Sequence, residues 1–105
     1  MATKNIMLVC AAGMSTSILV TKMQEVAKEQ NIDAHIFAVS GSEAEEKLKT
    51  KPVDVMLLGP QVRYMKPKFE ELAKENGILV EVINMRDYGT MNGENVLNAA
   101  LELIQ

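Results

Sequence analysis

Residues 6–17 read Ile6-Met7-Leu8-Val9-Cys10-Ala11-Ala12-Gly13-Met14-Ser15-Thr16-Ser17. Four consecutive apolar residues run into a thiol, then small residues, then three hydroxyls. A short solid apolar run is the mark of a strand buried on both faces, as in a parallel sheet covered by helices. From Ser17 to Gln30 the period changes. Leu19, Met23 and Val26 recur at i, i+4 and i+7, opposite Lys22, Glu25, Lys28 and Glu29. That spacing predicts an amphipathic helix, with Asn31 as its stop. A buried strand feeding an amphipathic helix is the first half of a βαβ unit.

The same alternation continues outward from this stretch. Ala34 to Val39 predicts a second strand. Ser42-Glu43-Ala44-Glu45 has the form of a capping box opening a short helix that holds Ala44 and Leu48, with Pro52 beyond its end. Val53 to Leu58 predicts the third strand, broken by Gly59-Pro60. Val62, Met65, Phe69 and Leu72 then fall at helical spacing, with a kink or fresh start expected at Pro67. Asn76-Gly77 marks a stop, Ile78 to Ile83 a fourth strand, Asn84 to Asn92 a loop, and Gly93 to Ile104 a last helix with Leu97, Ala100, Leu101 and Ile104 on one face. The order β-α-β-α-β-α-β-α predicts an α/β fold, a parallel sheet with right-handed crossovers. Ligands of such open sheets bind at the carboxyl ends of the strands, so the loops after Val9, Val39, Leu58 and Ile83 are the ones to inspect.

The chain has 105 residues, room for a single domain over 1–105. Apolar residues make up 48% of it, enough to build a core rather than a disordered chain. A net charge of −3 argues against bulk attraction to nucleic acid or anionic lipid, and no Trp, two Phe and two Tyr leave little for a base-stacking surface. One Cys excludes an internal disulfide and a multi-Cys metal site, and one His excludes a His-rich one. Ile6 to Cys10 is too short for a signal-peptide core or a membrane span. A cytosolic protein with a free thiol, no metal and no membrane insertion is expected.

The loop after the first strand concentrates the chemistry. Small residues let backbone N–H groups converge, and a helix start adds free N–H groups and a positive dipole end, a combination that holds an anion. The same field favours the Cys10 thiolate as nucleophile. The plain alternative is a small apolar residue ending a strand; the run of Gly and hydroxyl residues directly after Cys10 weighs against it. Three chemistries share this layout. Phosphate-ester hydrolysis of the low-molecular-weight tyrosine phosphatase kind calls for Arg six residues after the Cys, where this chain has Thr16. Arsenate reduction calls for further thiols. A phosphoryl carrier needs a cradle that accepts the group without promoting attack by water, and the missing guanidinium suits that task.

Cys10-Ala-Ala-Gly-Met-Ser-Thr-Ser17, Leu57-Leu-Gly-Pro-Gln61 and Tyr88-Gly89 together resemble the enzyme IIB component of the bacterial sugar phosphotransferase system (PTS), lactose/cellobiose type. The resemblance covers essentially the whole chain. It implies a four-stranded sheet ordered 2-1-3-4 between layers of helices. It implies that Cys10 takes a phosphoryl group from a phosphohistidine of the IIA protein in a phosphoenolpyruvate-dependent chain. Cys10 then passes it to a sugar of the cellobiose, chitobiose, β-glucoside or lactose class in the membrane IIC protein, with no metal or cofactor. The chain would act in the cytoplasm, at the membrane only through IIC, as a phosphotransferase component. A Cys-dependent hydrolase and a non-catalytic regulatory domain of the same fold are the competing readings.

On this reading Ala11, Ala12, Gly13, Met14, Ser15, Thr16 and Ser17 form the phosphate-binding loop. Backbone N–H groups do most of the binding, and the hydroxyls either assist or cap the helix. Gly59, Pro60, Gln61 and Tyr88 support the site: Gln61 steadies the loop or starts a helix, and Tyr88 closes the site or packs. Asp54 falls at the wrong end of its strand for a general acid. Asp87 lies at the right end, but without the Arg it does not make a phosphatase. His35 reads as a structural or surface residue. Met7, Met23 and Met56 follow core patterns, whereas Met14, Met65, Met85 and Met91 lie near the active end, where a flexible rim suits successive partners and Met65 also suits packing.

Overall fold

A computed structural model describes residues 3–10 and 14–104, the side chains of Met14 and Ser15 excepted. Strand β1 (Lys4–Cys10) lies at the centre of the sheet. It pairs in parallel with β2 (Ala34–Ser40) on one side and β3 (Val55–Leu58) on the other, and β4 (Leu79–Val82) pairs with β3 at the edge. The order is β2-β1-β3-β4, all parallel, as expected. Ile6, Met7, Leu8 and Val9 have no accessible surface. Each such side chain contributes about 1.5–3 kcal/mol of burial, so the central strand is the one the fold can least lose.

Alternation along the strands divides the core in two. Ile6 and Leu8 point to one face, where Leu19, Val20, Met23 and Ala27 of α1 (Met14–Glu29) and Val96, Leu97 and Ala100 of the last helix (Gly93–Ile104) cover them. Met7 and Val9 point to the other face, against Ala44 of α2 (Gly41–Thr50) and Phe69 of α3 (Lys66–Lys74). Met7, Met23 and Met56 are core residues. Met65 is part-buried against the second cluster, and Met91 packs against the first with a left-handed backbone (φ 53°). Of the expected methionine rim, Met85 is exposed, and Met14's side chain lies outside the described residues.

Several boundaries differ from expectation, each for a local reason. Helix α1 begins at Met14 rather than Ser17, so Met14 to Ser17 form its first turn. The capping box of α2 is not Ser42…Glu45 but Ser40…Glu43: Ser40 ends β2 in an extended conformation, and the Glu43 carboxylate accepts from its N–H (3.4 Å) and its hydroxyl (2.9 Å). Val53 and Asp54 lie outside the β3 ladder; Asp54 instead accepts from the Asn5 N–H at 2.7 Å, at the amino end of the sheet. A 3-10 segment, Pro60–Met65, precedes α3, which starts afresh with Pro67 in its first turn as Pro permits. The loop after β4 contains a one-turn helix α4 (Met85–Gly89), because the Asn84 side chain accepts from the N–H groups of Arg86 and Asp87. The last helix is therefore α5, and its bounds are those expected.

Candidate functional site

Cys10 is the last residue of the central strand, and its free thiol is buried. Strand pairing sets Ser40 beside it on the β2 flank. On the β3 flank the register runs Val9 to Leu58, so one step further Cys10 faces Gly59, whose N–H donates to the Val9 carbonyl at 2.8 Å. Glycine relieves crowding here. A Cβ on Gly59 would stand 3.3 Å from Gln61 Oε1, 3.4 Å from the Val9 carbonyl oxygen and 3.7 Å from Tyr88 Cε2. The bare backbone thus lets Gln61 and Tyr88 converge beside the strand end that carries the thiol.

The first turn of α1 reaches this point through the contact of Thr16 with Tyr88. It contains no acidic residue, which leaves the positive end of a sixteen-residue helix unopposed by its own side chains. Thr16 is fully buried and its hydroxyl meets that of Tyr88 at 3.4 Å. Ser17 is exposed. Ala11, Ala12, Gly13 and the Met14 and Ser15 side chains lie outside the described residues. Tyr88 is buried, so it packs at the site as well as bordering it. Pro60 opens the 3-10 segment.

A groove of about 630 Å³ adjoins the site, lined by Pro60, Gln61, Arg63, Tyr64, Met85 and Tyr88 among others. Tyr64 and Met85 are among the most exposed large apolar side chains of the described residues. Sequence reading of the loop missed Arg63 and Tyr64. The signal was present: both arginines of the chain, Arg63 and Arg86, fall shortly after strand ends three and four, where open sheets bind ligands. On the β2 flank the Ser40 hydroxyl, and after it the Ser40 N–H, hold the Glu43 carboxyl below its ordinary pKa. Farther out, the Val82 N–H is the main cause that lowers that of Glu81; burial opposes it, and the Lys66 ammonium adds to the lowering.

The remaining titratable candidates stay apart from the thiol. Asp54 sits at the opposite end of the sheet. Asp87 accepts from the Asn95 amide at 3.1 Å and helps tie α4 to α5. His35 pairs with Asn5, five residues back along β1 from Cys10, or roughly 16 Å at 3.3 Å per residue, and its ring packs by Phe37 at 5.2 Å. No group of three or more His, Cys, Asp or Glu among the described residues has the arrangement to hold a metal ion, and no helix among them is long and apolar enough to cross a membrane.

Comparison with known proteins gives the family. Residues 5–99 match the family model of the PTS system lactose/cellobiose-specific IIB subunit. A galactose-specific EIIB component of the PTS system from Lactococcus lactis subsp. cremoris is 49% identical, with 99% of each chain covered. The solution structure of a cellobiose-specific phosphotransferase IIB component from Borrelia burgdorferi is 48% identical, with a TM-score of 0.77 over 96% of this chain and 91% of that one. The lactose-specific IIB domain from Streptococcus pneumoniae, 18% identical, shares the fold alone, with a TM-score of 0.88 over 99% of this chain and all (100%) of that one. The chain belongs to the lactose/cellobiose-specific IIB subunit family of the PTS system, and as such it is a phosphotransferase component of sugar transport.

Proposed function

We propose that Cys10 is the phosphoryl carrier of this component. The Sγ thiolate attacks the phosphorus of a phosphohistidine on a IIA protein. The S–P bond forms, the P–N bond breaks, and the imidazole leaves and takes up a proton. In the second transfer a sugar hydroxyl, held by a membrane IIC protein, attacks the same phosphorus. The S–P bond breaks, Cys10 departs as thiolate, and the hydroxyl proton passes to a base of the acceptor complex. The chain meets the membrane only through IIC, on its cytoplasmic side. Relatives at nearly equal identity bear the names of different sugars, galactose and cellobiose; the acceptor in this reading is a sugar of the cellobiose, chitobiose, β-glucoside or lactose class.

The observation that supports this most is the position of the thiol: it ends the central strand, immediately before residues 11–17, with Gly59 leaving room at its side. Residues 11–17 would cradle the phosphoryl group chiefly through backbone N–H groups, and Gly59, Pro60, Gln61 and Tyr88 would support that cradle. No metal or cofactor enters either step.

Incubation with a complete phosphoenolpyruvate-driven donor chain, read by phosphorus NMR and intact mass, tests it. The wild-type protein should gain one phosphoryl group at Cys10, and Cys10→Ser should gain none while keeping its fold. Labelling of Cys10→Ser at another residue would show the assignment to be wrong. Rapid turnover of an aryl phosphate by the isolated chain would instead identify a hydrolase, and no labelling under any donor a regulatory domain.

A further inference from the structure

Thr16 is the sole fully buried side chain of polar type among the described residues. Burying a hydroxyl is costly unless it finds a partner, and its partner is Tyr88, 72 positions away in sequence. The hydroxyl of Thr16 is therefore turned inward, toward the sheet face shared by Ile6 and Leu8, in whose cluster Tyr88 is also found.

Tyr88 is itself held by a stiff frame. Its N–H donates to the Asn84 carbonyl at 2.9 Å, and its carbonyl accepts from Met91 at 3.2 Å. The Asn84 side chain caps the same turn, and Asp87 is tied to Asn95 of α5. From that frame the ring crosses the end of β3 beside Gly59 and ends on the first turn of α1. Tyr88 thus joins three pieces of the site: the turn after β4, the bare backbone facing Cys10, and the first turn of α1.

We infer that Tyr88 is a positioning residue, its hydroxyl pinning the first turn of α1 through the Thr16 hydroxyl so that the turn's N–H groups stay aimed at a phosphoryl group on Cys10. Thr16 serves Tyr88 rather than the phosphoryl group. This rests on the phosphoryl-transfer reading of Cys10. The 3.4 Å separation is long for a hydroxyl pair, so the effect expected is no more than that of one ordinary neutral hydrogen bond.

The experiment compares wild type, Tyr88→Phe, Thr16→Val, Thr16→Ser and the Tyr88→Phe/Thr16→Val double variant, with phosphorylated IIA protein as the probe. Tyr88→Phe and Thr16→Val should each lower the maximal rate of phosphoryl acceptance roughly threefold to tenfold, the span of one neutral hydrogen bond, with KM for the donor unchanged. The double variant should be no slower than the worse single one, and Thr16→Ser, which keeps the hydroxyl, should stay near wild type. Hydrogen exchange at the amides of residues 14–18, which needs no donor, should quicken by a similar factor in Tyr88→Phe while the strands keep their protection. Rates within twofold of wild type, a change in KM alone, additive losses, or uniformly faster exchange would each overturn the inference. If wild type is not labelled at Cys10, the phosphoryl-transfer reading fails on its own account, and the exchange data still decide whether the pair pins the turn.

Discussion

Replacing Gly93 with Ala should unfold this protein far more readily than a single methyl group suggests. Gly93 is the buried first residue of α5 and lies against the middle of α1. A Cβ there would stand 2.8 Å from the Lys22 carbonyl carbon, 2.8 Å from the Met23 nitrogen and 2.9 Å from Lys22 Cβ. Two of these are backbone atoms inside a helix and cannot rotate aside. Carbon atoms pack at about 3.5–4.0 Å, so the helices must separate by roughly 0.7 Å at this point. That opens the seam where Leu19 and Met23 meet Val96, Leu97 and Ala100, all of them buried, and a gap of this size forfeits about a quarter to a half of each contact it interrupts. Overpacking costs about 1–3 kcal/mol; with backbone as the obstacle the upper half applies. The better helix propensity of Ala, up to about 1 kcal/mol in mid-helix, returns little at a first-turn position. We expect a net loss of about 2 kcal/mol, which at about 4–8 °C per kcal/mol lowers the Tm by roughly 10–15 °C. Urea unfolding followed by circular dichroism should show a lower midpoint with an unchanged slope. Gly89→Ala is the control: no atom lies within 4 Å of its Cβ position, and its midpoint should stay near wild type. A Gly93→Ala variant within about 0.5 kcal/mol of wild type, the spread of ordinary surface changes, would refute the close-packing argument.

Two further outcomes follow from the same kind of contact. Gly59→Ala must displace Gln61 Oε1 from 3.3 Å and crowd the Val9 carbonyl, so it should slow labelling of Cys10 several-fold, by analogy with loss of about one hydrogen bond, while the urea midpoint moves little; a large stability loss with normal labelling would contradict it. Glu43 and Glu81 both have lowered carboxyl pKa values, through Ser40 and through Val82 and Lys66 respectively. Their contribution is therefore present at neutral pH and is lost as pH falls below about 4.5, the ordinary value from which both are lowered. Ser40→Ala should lower the urea midpoint at pH 7 slightly and flatten the acid-side fall; parallel curves for the two proteins would show that Ser40 does not bias Glu43.

What the sequence made legible was whatever is decided within one element. β1 and β3 are covered on both faces, so their runs of Ile, Met, Leu and Val left no other reading. The bounds of α5 follow from its apolar stripe and its small first residue. Choices that depend on a neighbouring element went astray. Ser40…Glu43 and Ser42…Glu45 both have capping-box spacing, and the first operates because β2 continues through Ser40 in register with Cys10. The apolar period of α1 starts at Leu19, yet the helix starts at Met14, since polar residues fill a first turn that faces the strand ends. Helix α4 has only five residues and rests on one Asn side chain, too little for any periodicity to reveal. Cys10 was visible as a thiol before a run of small and hydroxyl residues. That Gly59 stands opposite it required the sheet order, and the meeting of Thr16 with Tyr88 spans 72 positions, a pairing that only packing creates.

The two flanks of Cys10 differ in charge, and the difference bears on how a phosphoryl group arrives. On the β2 flank, α2 starts without an intervening loop, and its first turn carries the Glu43 carboxylate, whose pKa Ser40 lowers, with Lys47 nearby. On the β3–β4 flank lie the groove, Arg63 along its wall, and Arg86 at the start of α4; the one acid of that turn, Asp87, is engaged by Asn95. A phosphohistidine carries negative charge, so on the proposed reading Arg63 in the groove wall favours its approach from that side, over a range of about 8 Å at physiological salt. The exposed Tyr64 and Met85 on the attractive side supply apolar contact area that a purely electrostatic funnel would lack. On the proposed reading, donor and acceptor each need the phosphorus in line with Sγ. A thiol sunk at the end of a central strand, with the groove at its β3 side, offers them one common approach. On that reading the two partners would alternate over the same groove rather than bind together, which is the order of events that a carrier between two transfers requires.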